Sequence, residues 1–542
     1  MIRKEIENLL RSYLSELGYD YDFVVEIPEE QFGDFSTNVA LVGAKYFKKP
    51  PRDVAKYFVD KLTGHPMFRE ITVAGPGFIN FRVSNEFYRD FLARYIQSPH
   101  SIWTFKKSGK ILLEYGSANP TGPLTVGHGR QIVIGDVLGN VLRYVGYDVT
   151  KEMYVNDAGR QIKLLARSVW ARYNQLHGRQ EEIPEDGYRG EYVIDIAKKV
   201  QVDHGDRFVG VWNDEVEEIF RKYALEEIMK MFEVSLEKIG AKFDSTYSEK
   251  SLIEDGTVQE VLEILKNKDL IYESEGAVWL KVSKFIKEND KVLVKSDGSY
   301  TYFLTDIAYH YRKFRRGFDC AIDIFGSDHH GHIPRMVAAM MALDIPEDFV
   351  TFVLHQFVTL KRGNEIVKMS TRAGEFVTLD ELIDEVGRDA TRYFFAMVDV
   401  NTHLNFDLEL AKAQTNDNPV YYVQYAHARI SSLFEKASEK GLEFNLLDGI
   451  ELLDHELEMG LIKLISSFDD VLERIVEKLS PHYLTDYLED LASMFHRYYA
   501  DVKIVDPEDP KLTNGRLNLC LGVKIAIAEG LKLLGVSAPD KM

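Results

Sequence analysis

Apolar residues at Ile2, Ile6, Leu9, Leu10, Tyr13, Leu14 and Leu17 recur every three to four positions and predict an amphipathic helix at the start of the chain. Extended segments follow at Phe23–Ile27 and Ile71–Val73, and Gly75-Pro76-Gly77 reads as a turn before a strand over Phe78–Val83. Phe32-Gly-Asp-Phe-Ser-Thr-Asn38 reads as a loop that opens a helix, with Ser36, Thr37 or Asn38 as its cap. Residues 1–105 form a first α+β unit, closed by the polar linker Lys106-Lys-Ser-Gly-Lys110.

From there the pattern alternates: strand 110–115, helix 128–144, strand 149–154 and a helix from about 158. Strands alternating with helices imply a doubly wound parallel sheet. Residues 175–250 are charged and helical in pattern, notably Trp212–Ile239, and read as an insertion. Alternation resumes with extended segments near 271–281, 291–295 and 300–305, a strand at 320–325, a helix at 332–343 and a strand at 350–358. From 377 onward helical periodicity dominates, at Leu379–Val386, Asp389–Val398, Tyr421–Ala437, Leu453–Lys478 and Leu484–Asp501. The expected fold is multidomain α/β: an N-terminal α+β unit, a parallel-sheet unit over 106–395 and an all-α bundle over 396–542.

Composition narrows the function classes. The chain is 45% hydrophobic, yet no apolar run is long enough to span a membrane. Acidic residues within the first ten positions argue against a leader peptide. Two cysteines, Cys320 and Cys520, far apart in sequence, argue against a disulfide framework and a cysteine zinc site. A cytoplasmic protein is the expectation. The net charge of −20 weighs against a nucleic-acid partner, but a local basic patch is enough to bind one.

Ser117-Ala-Asn-Pro-Thr-Gly-Pro-Leu-Thr-Val-Gly-His-Gly-Arg130 carries the strongest chemical signal. It sits between the apolar run Ile111–Leu113 and a periodic apolar segment, as a strand–turn–helix. Such a turn offers backbone N–H groups and a helix N-terminus to an anion. His128 sits in the first turn, where it can reach a phosphate, although an ordinary strand–helix turn has the same spacing. Phe325-Gly-Ser-Asp-His-His-Gly-His332 ends a predicted strand, where open α/β sheets bind ligands. Its histidines lack companions at zinc-site spacing, so no zinc or other protein-held metal is expected.

Thr125-Val-Gly-His128 resembles the His-Ile-Gly-His signature of class I aminoacyl-tRNA synthetases, and Lys368-Met-Ser-Thr-Arg372 resembles their Lys-Met-Ser-Lys-Ser signature. The two stand in the family's order. Glu114 before the first and Gly129-Arg130 after it make the string similar to arginyl-tRNA synthetases. Gly33–Asn38, Gly75–Asn80, Asn418–Arg429 and the C-terminal Leu-Gly-Val-Ser-Ala-Pro-Asp-Lys-Met extend that likeness over nearly the whole chain.

The resemblance implies a Rossmann-like catalytic domain, a tRNA-contacting N-terminal domain and an anticodon-binding helical bundle. It implies activation of L-arginine with ATP and Mg²⁺, transfer to tRNA(Arg), and a monomer. His128 and Thr125 would contact phosphates, with Lys368 and Arg372 supplying positive charge. Gly127, Gly129, Gly326, Asp328, Met369 and Ser370 would line the ATP site. Glu114, Asn119, Tyr302, Asp306 and His329 would bind arginine, whose planar guanidinium calls for carboxylates. Asp306 fits equally as the N-cap of a helix over 307–314, and His329 as a supporting residue. Asp34, Phe35, Asn38, Tyr421, Gln424 and Arg429 are candidate tRNA contacts; helix packing is the other reading of the last three. Thr125 and Thr371 replace a His and a Lys of the two signatures. Those departures leave open a non-catalytic paralogue that binds nucleotide or tRNA.

Overall fold

The structure is a computed structural model that describes residues 1–103, 105, 107–363, 365–367 and 377–542. Lys368, Met369, Ser370, Thr371 and Arg372 lie outside the described residues.

The N-terminal unit is an antiparallel sheet of β1 (Val25–Glu26), β2 (Phe35–Thr37), β3 (Phe68–Ala74) and β4 (Phe78–Val83), in the order β1-β2-β4-β3. Helices Ile2–Glu16, Val39–Phe47, Pro51–Leu62 and Asn85–Gln97 complete it. The expected loop at Ser36 and Thr37 is strand instead. Ser36 pairs with Asn80 across β2 and β4, and its Oγ donates to the Asn80 side chain at 2.8 Å within the buried interior. Asn38 precedes the helix Val39–Phe47 but does not cap it, because its Oδ1 accepts the Val24 N–H at 2.8 Å.

The central unit holds β5 (Lys110–Glu114), β6 (Asp148–Val155) and β7 (Ser245–Ser248), a small antiparallel sheet of β8 (Ile271–Ser274), β9 (Ala277–Leu280) and β10 (Lys291–Val294), then β11 (Cys320–Gly326) and β12 (Val350–His355). The main sheet is parallel throughout, in the order β12-β11-β5-β6-β7. The chain winds outward from β5 through β6 and β7, then returns to build β11 and β12 on the other side. Strand order therefore reverses between β5 and β11, and the crevice at their C-terminal ends is where such sheets bind ligands. The excursion between β6 and β7 is helical, with Arg160–Leu176, Glu191–His204 and Asp214–Ile239 packed on one another.

Residues 302–305, expected to be extended, are instead the first turn of helix Tyr302–Arg315. The Thr301 hydroxyl caps that helix by accepting the Leu304 N–H. A short aromatic run does not distinguish strand from helix by period alone. Asp306 thus lies inside the helix, and the N-cap reading of it is corrected.

The expected strand 350–358 splits into β12 and β13 (Val358–Arg362). With β14 (Glu365–Ile366) and β15 (Leu404–Asp407), β13 forms a third small sheet, and β15 lies in the region expected to be helical from 377 onward. The C-terminal bundle comprises helices Pro419–Glu439, Glu456–Ser466, Phe468–Lys478, His482–Asp501 and Pro510–Leu534. The expected helix 453–478 is broken at Ser467. Pro510–Leu534 buries residues around most of its circumference, so it lacks the amphipathic stripe that would have marked it in the sequence. One hydrophobic core runs through all three units, and a second lies beneath helices Tyr302–Arg315 and Ile333–Ala342.

Candidate active site

The turn after β5 opens helix Val126–Tyr144 with a reciprocal cap. The His128 N–H faces the Thr125 hydroxyl, and the Thr125 N–H donates to His128 Nδ1 at 3.1 Å. A lone pair on Nδ1 places the ring proton on Nε2. Burial lowers the His128 pKa to about 4, against a smaller opposing pull from Asp328. At neutral pH the ring is an uncharged donor. A Cβ on Gly127 would find open space, with Thr125 Oγ1 nearest at 3.8 Å. A Cβ on Gly129 would lie 2.5 Å from Leu379 and 3.0 Å from Phe395. Gly129 thus serves close helix packing rather than a tight turn.

Glu114 ends β5 at the switch point and is 3% exposed. It pairs in register with Asp323 of β11, so two carboxylates lie side by side in the buried sheet. Lys313 of helix Tyr302–Arg315 donates to Glu114 Oε2 and, at 2.7 Å, to both oxygens of Asp323. Ser117 donates to Glu114 Oε1 at 2.8 Å. His310 Nε2 lies 2.9 Å from Asp323 Oδ2, and its Nδ1 lies 2.8 Å from the Asp306 carbonyl oxygen.

Above this layer lies an acidic pocket. Asp306 is 6% exposed and meets His332 Nε2 at 2.6 Å. Glu249, 5% exposed, accepts from Thr305 at 2.6 Å. Burial raises the Glu249 pKa, reinforced by the neighbouring charges of Asp306 and Asp157. Tyr302, half exposed, faces four carboxylates. The Asp306 charge is the largest influence raising its pKa, ahead of burial, Glu114, Glu249 and Asp328. Among the described residues the buried Tyr154 hydroxyl has no hydrogen-bond partner, and the charges of Glu249 and Asp306 act on it. A planar cation is the ligand that this charge distribution accommodates.

The other predicted residues lie on the loops and strand ends around the switch point. Asn119 is exposed on the loop after β5. Gly326 ends β11, and a Cβ there would lie 2.5 Å from Asp328 Oδ1. His329 stacks on Phe325 at 5.2 Å between ring centroids. His355, at the end of β12, is held neutral by burial, with its pKa lowered to about 4. The structure therefore gathers Glu114, Asn119, His128, Tyr302, Asp306, Asp328 and His329 around the switch point.

The candidate tRNA contacts divide. Asp34 is occupied inside the fold, accepting from the Val83 N–H at 2.8 Å and from Lys463 at 2.6 Å. Phe35 is buried in β2. Gln424 is buried and donates to Asp389 and to the Ser537 carbonyl, each at 2.9 Å. Tyr421 stacks on Tyr425 at 5.8 Å, and Arg429 lies over Tyr425 at 4.4 Å and Tyr499 at 4.6 Å. Those rings make a partly exposed stacking platform on the bundle.

Lys313, His310, Asp323, Glu249, His332 and His355 were not singled out from the sequence as site residues. Asp323 had a signal, being a charge within an otherwise apolar strand. Lys313 and His310 share a helix face with Asp306 at three- and four-residue spacing, which becomes visible only once the helix start is known.

Comparison with known proteins agrees with this geometry. Residues 2–83 match the family described as arginyl tRNA synthetase N terminal domain, residues 96–416 match tRNA synthetases class I (R), catalytic domain, and residues 423–542 match the DALR anticodon binding domain. An arginine–tRNA ligase of Thermotoga maritima is 58% identical over 99% of this chain and 100% of its own length. One from Listeria monocytogenes is 44% identical over 99% of this chain and 98% of its own length. The solved arginyl-tRNA synthetase of Thermus thermophilus shares the fold with a TM-score of 0.77 at 22% identity, both chains fully covered. From its paired signatures to its three matched domains, this chain belongs to the arginyl-tRNA synthetases, a class I aminoacyl-tRNA synthetase family.

Proposed function

We propose that this enzyme activates L-arginine with ATP and transfers it to the 3′-terminal adenosine of tRNA(Arg). The observation that carries the reading is a set of buried carboxylates at the switch point, Asp306 of helix Tyr302–Arg315 with Glu249 and Glu114 bonded to Thr305 and Lys313 of the same helix. In the first step the arginine carboxylate attacks the α-phosphorus; an O–P bond forms and the bond to pyrophosphate breaks. In the second, a ribose hydroxyl attacks the adenylate carbonyl, and AMP leaves.

Asp306, Glu249 and Tyr302 receive the guanidinium, through charge and hydrogen bonds that water would otherwise supply. Glu114 and Asn119 hold the α-amino end, and His329 flanks the pocket. His128 Nε2–H donates to a phosphate oxygen, and Thr125 fixes that tautomer. Gly127, Gly326 and Asp328 line the nucleotide side, with Gly129 seating the helix behind them. Lys368, Met369, Ser370 and Arg372, outside the described residues, supply the charge and donors for departing pyrophosphate. When bound with ATP, Mg²⁺ would supply positive charge to the triphosphate beside these residues. Tyr421, Tyr425 and Arg429 offer stacking surfaces to tRNA bases. The enzyme acts as a cytoplasmic monomer.

Arginine-dependent ATP–pyrophosphate exchange, with and without tRNA of arginine anticodon, tests this reading alongside tRNA charging. Exchange and charging specific for arginine are expected. Absence of both from folded protein with Mg²⁺ overturns it in favour of a non-catalytic binding protein.

A further inference from the structure

Glu114 and Asp323 create an electrostatic problem at the floor of the amino-acid pocket. They are register neighbours on adjacent parallel strands, 3% and 0% exposed. Like charges so placed repel, and burial disfavours ionising either. Lys313, also 0% exposed, reaches between them from helix Tyr302–Arg315 and bonds both carboxylates. His310 completes the layer. Both its ring nitrogens face acceptors, Asp323 Oδ2 at 2.9 Å and the Asp306 carbonyl oxygen at 2.8 Å. Only an imidazolium donates to both. Lys313 and the His310 imidazolium thus face the two carboxylates in one buried layer.

This layer leaves Glu114 asymmetric. Oε2 is bound to Lys313, while Oε1 is bound to Ser117, whose hydroxyl also accepts the Tyr154 N–H at 3.1 Å. A carboxylate has about four acceptor sites, so two bonds hold its plane and leave capacity for a ligand.

We propose that Lys313 is a positioning residue for arginine binding: bridging Glu114 and Asp323, it keeps Glu114 ionised and fixed in orientation for the substrate's ammonium group. This rests on the reading of Glu114 as an arginine ligand. The groups facing Glu114 are Lys313, Asp323 and His310, with the Tyr154, Tyr302 and Tyr309 hydroxyls around them. Burial already pushes Glu114 up to about 7, with Lys313 the strongest force opposing it. Removing Lys313 therefore protonates Glu114 at higher pH and disables it as an anion.

The test uses the full chain and tRNA charging over pH 6–9, with KM measured separately for arginine, ATP and tRNA. Lys313→Met is expected to raise the arginine KM at least about tenfold and to move the acid limb of kcat/KM for arginine up by about one pH unit. KM for ATP and tRNA should change little. Adding Asp323→Asn to Lys313→Met removes the neighbouring anion and should return the limb toward the wild-type position. If Lys313→Met does not fold, Asp323→Asn alone is decisive, because freeing Lys313 for Glu114 should move the limb down. An unmoved limb, or equal losses toward all three substrates, overturns the proposal. Glu114→Gln separates the two levels of inference. If it leaves the arginine KM and the limb unchanged, the ligand reading of Glu114 fails. If it abolishes the limb while Lys313→Met does nothing, only the role of Lys313 fails.

Discussion

Thr125 and His128 cap each other across the first turn of helix Val126–Tyr144, with the Thr125 N–H donating to His128 Nδ1 at 3.1 Å. The same contact that starts the helix therefore selects the imidazole tautomer. Thr125 stands where the family signature has a histidine, and here its hydroxyl and backbone N–H make the cap.

His128→Gln should lower kcat of pyrophosphate exchange by about 100-fold, the scale for losing one transition-state donor, while the arginine KM changes little. Thr125→Ser keeps the cap and should behave like wild type. Thr125→Ala should cost about 1 kcal/mol of stability and lower kcat as well, since the ring loses its anchor. Denaturant melts read beside exchange kinetics separate the two effects.

Acidification should destabilise the fold through His128 and His355. Burial is the main cause of each lowered pKa, from the ordinary 6.5 to about 4. Between those values the unfolded chain binds protons that the native state refuses, so stability rises with pH across the window. The contribution is complete above about 6.5 and is lost as pH falls toward 4. Denaturant midpoints at pH 7.5 and 5 should differ less in His355→Gln than in wild type. Equal differences would refute the assignment.

The two signature glycines should fail in different ways. Gly129→Ala places a Cβ 2.5 Å from Leu379, and overpacking of this kind costs about 1–3 kcal/mol. Gly127→Ala enters open space. It should leave the melting temperature nearly unchanged and raise the ATP KM, because the methyl group occupies room that the nucleotide needs.

Arg392 should be costly to remove. It is fully buried, and it joins Asp136 of the signature helix at 2.6 Å to the carbonyls of Leu534 at 2.6 Å and Ile239 at 3.0 Å. Arg392→Met leaves Asp136 with the Lys151 ammonium and a long contact from the Asn140 amide and should cost about 3–5 kcal/mol, the scale for breaking a buried pair. Adding Asp136→Asn should recover part of that loss, a non-additivity that a double-mutant cycle measures.

Tyr425→Ala removes the ring between Tyr421 and Arg429. Base–aromatic stacking is worth about 1–3 kcal/mol, so the KM for tRNA should rise about tenfold or more. Exchange at saturating tRNA should keep its kcat. A lower kcat with unchanged tRNA KM would place the platform outside the tRNA interface.

The architecture and one wall of the site are legible along the chain. Local patterns were sufficient there: the strand–turn–helix at Glu114–Arg130, the parallel alternation, and the helical periods of the C-terminal region are all written in near neighbours along the chain. Misread elements had ambiguous local patterns. Tyr302–Thr305 is too short and apolar to show its period, and Pro510–Leu534 is buried around too much of its surface to show a stripe. Tertiary structure alone decided which charges meet. Lys313 and Glu114 are 199 positions apart, and Arg392 and Asp136 are 256 apart. Tertiary structure also buries Phe35 and Gln424 and gives Asp34 and Asn38 bonds within the fold. A side chain's type states what it can bind; burial and the partners brought to it by the remote chain decide whether that capacity is already spent.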